Sequence, residues 1–139
     1  MFLLDTNVLS EMLRSTPAPA VLTWLDHQER SHLYLNTITI AEVLEGIALL
    51  PLGKRRTALH NAYTLEIFPL FGDRVLSFDR SAAEILASLN TQARAAGRRV
   101  EFADSLIAAM AASRAFTVVT RDTAPFHAMG LTVIDPWTT

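Results

Sequence analysis

The sequence contains no cysteine. Disulfides, thiolate metal sites and a cysteine nucleophile are thereby excluded, and the composition is compatible with a reducing cytosol. It contains one lysine, Lys54, in a helix start remote from every strand end. A phosphoryl-accepting receiver domain, which places a lysine beside its acidic site, is disfavoured. The four histidines, His27, His32, His60 and His127, are scattered without the spacing of a metal pair, so zinc is disfavoured as well. The longest apolar region, Ile38 to Leu52, is interrupted by Glu42 and Glu45 and is too short to span a bilayer. No basic segment leading into an apolar run marks a signal peptide. A cytoplasmic protein with no membrane contact is expected. Nor is there an excess of basic charge: the formal net charge of −2 gives no global attraction to nucleic acid.

Half of the 139 residues are apolar, enough for a substantial core in a single domain spanning 1–139. The chain starts with an apolar run, Phe2-Leu3-Leu4, that ends at Asp5. So short and apolar a run fits a strand covered on both faces, as in a parallel sheet. Similar runs follow at Leu33–Asn36, Val75–Phe78, Thr117–Thr120 and Leu131–Ile134. Between them lie helical patterns: Val8 to Leu13, a helix opened by Pro19, Thr39 to about Leu50, Lys54 to about Ile67, Ser81 to Gly97 and Glu101 to Arg114, with one short turn near Phe126. Thr39–Glu42 and Ser81–Glu84 have capping-box spacing. Strands alternating with helices predict a three-layer α/β/α fold around a mainly parallel five-stranded sheet.

In such sheets chemistry collects beyond the carboxyl ends of the strands. Asp5 and Asp122 each follow a strand and share that rim. Glu42 begins the helix after the second strand and can reach the same rim. Asp104 lies in the first turn of a helix that follows another helix, so local sequence leaves its edge open. Each acid also has a purely structural use. Asp5 and Asp122 can cap the turns after them, Glu42 can close the capping box with Thr39, and Asp104 can sit favourably at a helix N-terminus. Four converging acids would repel one another unless a cation holds them, and an oxygen-only donor set suits Mg²⁺ or Mn²⁺. With four of the 14 acids in one site, ten remain against 12 Lys and Arg. The rest of the surface is then mildly basic and suits an anionic substrate. Arg98-Arg99 and Lys54-Arg55-Arg56 can track a phosphate backbone or simply solvate helix ends, whereas Arg121 adjoins Asp122 at the rim itself.

The stretches LLDTNVLSE, TITIAEVLEG, ADSLIAAMA and FTVVTRDTAPF, in this order across residues 3 to 126, resemble PIN-domain ribonucleases. The resemblance is strongest to the VapC-like toxins of type II toxin–antitoxin systems, and the closing DPW resembles their FitB-like branch. It implies the strand order 3-2-1-4-5, Mg²⁺- or Mn²⁺-dependent cleavage of RNA, a homodimer or toxin–antitoxin hetero-oligomer, and inhibition by a small DNA-binding antitoxin. By position it makes Asp5, Glu42, Asp104 and Asp122 the catalytic and metal-binding acids, with Asn7 and Thr120 as supporting polar groups. Asp5 is expected to bind metal directly, with Asp104 as its closest carboxylate companion. Arg121, Arg98 and Arg99 are candidate RNA contacts. A mainly non-catalytic scaffold that pairs antitoxin chains in a repressor complex is the competing function. An Asp-x-Asp phosphatase is disfavoured because Asn7 stands where its second aspartate belongs.

Overall fold

A computed structural model describes all 139 residues, Met1–Thr139. Five strands form one sheet: β1 (Phe2–Leu4), β2 (Leu33–Asn36), β3 (Val75–Leu76), β4 (Thr117–Val119) and β5 (Val133–Ile134). Their spatial order is β3-β2-β1-β4-β5, as the family resemblance implies, and every neighbouring pair is parallel. β1 is central, with Leu4 opposite Val119 on one side and Leu3 opposite Tyr34 on the other.

Alternation along β1 and β4 divides the core. Leu4 and Val119 point to one face, where they meet α1 (Thr6–Met12), α2 (Pro19–Asp26) and α3 (Thr37–Ala48) through Val8, Leu9, Val21, Trp24, Val43 and Ile47. Leu3 and Val118 point to the other, against α5 (Arg80–Ala95), α6 (Phe102–Ser113) and α7 (Ala124–Ala128). Ile107, Ala108, Ala109, Met110 and Ala111 are all buried there. Successive alanines let α6 lie close on the sheet and on α5, so α6 is apolar nearly all round. Burial on both faces explains why the strands read as uninterrupted apolar runs rather than alternating ones. No helix is long and apolar enough to cross a membrane.

Three local expectations are corrected. Thr39 is not the cap of α3: the helix begins two residues earlier, and Asn36, fully buried, accepts from the Thr39 N–H at 2.8 Å. Ser81 is likewise not the cap of α5, because Asp79 accepts from the Ala82 N–H at 2.9 Å. Asparagine and aspartate reach the N3 amide as well as Thr or Ser do, and each stood just upstream. Third, the helix expected from Lys54 to Ile67 is α-helical only in α4 (Lys54–Asn61), then widens into a π-helical segment over Ala62–Ile67. The segment buries both Tyr63 and Ile67 in the core.

Asn36 also donates from Nδ2 to the Thr39 hydroxyl at 3.1 Å, so replacing it strands buried polar groups as well as removing a cap. Asn36→Ala is expected to cost about 2 kcal/mol or more, while Asn36→Asp retains the cap. Urea denaturation of the two variants checks this.

Candidate active site

The rim at the carboxyl ends of β1 and β4 holds a cleft of about 440 Å³. Asp5, Glu42, Asp104 and Asp122 all line it, together with Asn7, Ser10, Glu11, Arg121 and Trp137. The sheet thus brings together all four acids singled out from sequence, including Asp104, whose edge could not be assigned locally.

Asp5 is 7 % exposed and held at both oxygens. Its Oδ1 accepts from the Thr6 N–H at 2.8 Å, capping α1, and its Oδ2 accepts from the Thr120 hydroxyl at 2.8 Å. The capping and site roles, posed from sequence as alternatives, fall on one residue, because a carboxylate has four lone-pair sites and these bonds occupy two. Thr120 is the hub behind it. While donating to Asp5, its hydroxyl accepts from Asn7 Nδ2 at 3.0 Å and from the Asp122 N–H at 3.1 Å. Asn7 Oδ1 accepts in turn from the Arg121 N–H at 3.2 Å. One hydroxyl therefore ties the end of β1, the start of α1 and the turn after β4.

Glu42 reaches the cleft from α3, where its Oε1 accepts from the Thr6 hydroxyl at 3.1 Å. Glu45, one turn on, is exposed and does not line the cleft. Asp104 comes from the first turn of α6. Arg121 lies over the Trp137 ring, 5.5 Å from guanidinium carbon to ring centre, a cation–π contact that holds a positive charge at the edge of the acids.

Electrostatics separate these acids. Burial is the main cause that pushes Asp5 and Glu42 above the usual carboxylate range. Asp104 is pushed up to about 6, first by burial and then by the charges of Asp5, Asp122, Glu42 and Glu101, in that order. Asp5 is thus the carboxylate that Asp104 feels most, although the one that acts on Asp5 itself is Asp122. Glu11 behaves oppositely. This buried acid accepts from the Ala18 N–H at 2.6 Å and pairs with Arg14 at 3.3 Å, and these contacts, the Ala18 bond first, hold it below the usual range. Glu11 was missed from sequence. Its signal was an acid three residues after Val8, on the apolar side of α1.

The donors suit a hard divalent cation in kind, since all are oxygens, three of the four acids resist ionisation, and Asp5 keeps free lone pairs. No three acidic or histidine side chains stand close enough to bracket one ion as they lie. Ligation therefore needs adjustment of Glu42, Asp104 or Asp122, none of which is fully buried. The histidines do not line the cleft, and Arg98 and Arg99 lie outside it, around a second cavity.

Comparison with protein-family models matches residues 2–130 to the PIN domain. The chain belongs to the PIN-domain family. It is 52 % identical over 137 residues to the plasmid stability protein StbB of Pseudomonas syringae pv. tomato, with 99 % of each chain covered. It is 47 % identical to the VapC ribonuclease Y4jK of Sinorhizobium fredii, over 99 % of this chain and 98 % of that one. Among solved structures it superposes on FitAB bound to an IR36 DNA fragment with a TM-score of 0.94 and 44 % identity, covering 99 % of this chain and 96 % of that one. The sheet order of this PIN domain and its VapC- and FitB-like relatives agree with the resemblance read from the four sequence stretches.

Proposed function

We propose that this PIN domain is a Mg²⁺- or Mn²⁺-dependent endoribonuclease toxin, acting in the cytoplasm and held in check by a small DNA-binding antitoxin. The observation that carries the reading is the acidic cleft itself, where Asp5, Glu42, Asp104 and Asp122 line one cavity and the charges of the other three add to burial in raising the pKa of Asp104. These four residues would hold the cation. Such an ion supplies Lewis acidity toward a phosphate oxygen and makes water a better nucleophile.

The remaining work falls to the chain's own groups. Thr120 and the Thr6 N–H fix both oxygens of Asp5, so the carboxylate meets its ligand with little reorganisation. Asn7 holds the Arg121 backbone, and Trp137 holds the Arg121 side chain. Arg121 is then placed to accept a substrate phosphate at the cleft mouth. Similarity to the VapC ribonuclease Y4jK supports the substrate class.

Similarity to FitAB supports the partner. A groove of about 830 Å³ adjoins the cleft at Thr6, Ser10 and Glu42, floored by Leu13, Val43, Ile47, Leu50, Leu59 and Tyr63. An apolar antitoxin segment seated there would lie against the acids, and the complex would form a hetero-oligomer built on a toxin dimer. The same groove favours the second reading, a scaffold that pairs antitoxin chains on DNA.

Incubation of the purified protein with total RNA separates the two. Cleavage is expected with Mg²⁺ or Mn²⁺ and not with EDTA. Absence of cleavage with either metal, alongside tightened DNA binding by the antitoxin, would favour the scaffold.

The raised pKa of Asp104 gives this reading a pH signature. Its ionisation opposes folding in the absence of metal, so stability of the metal-free protein should fall as pH rises from 3.8 through about 6. Metal affinity should rise over the same window, because the ligands bind as carboxylates. Thermal melts at several pH values, with and without Mn²⁺, check both slopes. Opposite signs or flat profiles would contradict the assignment.

A further inference from the structure

A second cavity, of about 560 Å³, opens between the last turns of α5 and the first turn of α6. Arg94, Arg98 and Arg99 line it together with Asn90, Phe102 and Ser105, and no carboxylate does. None of the three guanidinium groups is in an ion pair. Their convergence is set by the chain: Gly97, at a φ of +68°, turns it after α5, so that Arg98 and Arg99 come back to the cavity already lined by Arg94. Arg98 is anchored by a bond from Nη1 to the Ala128 carbonyl at 3.0 Å, which leaves the rest of its fork of donors free.

Phe102 is 70 % exposed and is the one aromatic among the large apolar side chains left in solvent. Its turn is fixed from behind, since the buried Ser105 hydroxyl donates to the Phe102 carbonyl at 2.6 Å. The same turn carries Asp104 into the acidic cleft. A row of unpaired arginines beside an exposed aromatic face is the arrangement by which proteins hold single-stranded nucleic acid: the cations track phosphates and the ring takes a base.

We propose that this cavity binds the single-stranded RNA flanking the bond that is cut, with phosphates on Arg94, Arg98 and Arg99 and one base stacked on Phe102. The proposal rests on the ribonuclease reading and deepens it, adding a preference for unpaired RNA on one side of the cleft. An acidic peptide would satisfy the arginines but would leave the aromatic face unused.

The test is fluorescence anisotropy of a short labelled single-stranded RNA with the full-length protein in EDTA, over a series of salt concentrations. Arg94→Ala and Arg99→Ala should weaken binding alike for all sequences, and each should lower the salt slope by about 0.7. Phe102→Ala should weaken binding roughly 5- to 150-fold with the slope unchanged, and Phe102→Trp should restore it. A duplex RNA should bind without dependence on Phe102. Wild-type affinity and slope in all three alanine variants would overturn the proposal while leaving the ribonuclease reading intact if cleavage persists. RNA binding by none of the proteins, together with no cleavage, would overturn both. Displacement of the RNA by poly-glutamate with the same dependence on Phe102 would assign the cavity to acidic protein segments and overturn it too. A changed oligomeric state of Phe102→Ala by light scattering, with RNA affinity unchanged, would assign the face to a second copy of the chain.

Discussion

Asp5→Asn is expected to abolish RNA cleavage while leaving the protein as stable as the wild type or more so. The two halves have one cause. Asp5 is buried, and its pKa is raised by that burial and by the charge of Asp122. Its negative charge is therefore a cost to the metal-free fold and an asset only when a cation is present. Asparagine keeps the shape. Its Oδ1 can still accept the Thr6 N–H that caps α1, while its Nδ2 stands where Oδ2 accepted from Thr120. One bond to that hydroxyl is given up, and removal of the buried charge offsets it. What is lost is the charge proposed to bind metal. Loss of several kcal/mol of transition-state stabilisation corresponds to a rate lower by about 10²- to 10⁴-fold. Single-turnover cleavage and thermal melts of the metal-free proteins measure the two halves separately. A variant that is inactive because it is unfolded, or one that is stable and fully active, would each contradict the role given to Asp5.

The second large effect lies in the layer behind the rim. Phe126 is 1 % exposed and is the largest fully buried side chain of the protein. It reaches from α7 into the cluster formed by Leu3, Val118, Ile107 and Met129. The helix is only five residues long and cannot stand alone, so this ring is what fixes it to the sheet. Phe126→Ala should cost about 3–5 kcal/mol, from lost burial and from a cavity that two strands and α6 cannot collapse to fill. For a chain of this size that is roughly a 10–17 °C fall in Tm. Phe126→Leu should recover more than half of it. Because α7 follows the turn bearing Arg121 and Asp122, cleavage near the melting onset should fail before secondary structure does. A loss of under about 1 kcal/mol would show that α7 packs by other means.

These two residues illustrate what the sequence could and could not convey. The strands were legible because burial on both faces leaves uninterrupted apolar runs, and the rim was legible because Asp5 and Asp122 end two of them. Asp104 became placeable only once α6 was seen to start at the same edge, since a helix that follows a helix carries no local record of its starting side. The caps lie elsewhere for one reason: Thr39 and Ser81 complete capping-box spacings, yet Asn36 and Asp79 start the helices earlier by accepting from the Thr39 and Ala82 amides. The role of Thr120 needed the fold, because its partners Asp5 and Asn7 lie more than 110 residues away in sequence. Arg98 and Arg99 were recognised as basic but not as separated from the acids by the first turn of α6. Glu11 lies inside α1 rather than at a strand end, and its position on the apolar side of that helix is its one local sign of burial.

Whether the acidic cleft holds a divalent cation is tested most directly by calorimetric titration of Mn²⁺ into the wild type and Asp5→Asn at pH 7. The wild type should show saturable binding that is lost or greatly weakened in the variant, matching the loss of cleavage. RNA cleavage by a wild type that takes up no Mn²⁺ or Mg²⁺, or metal binding undiminished in Asp5→Asn, would contradict that role of the cleft.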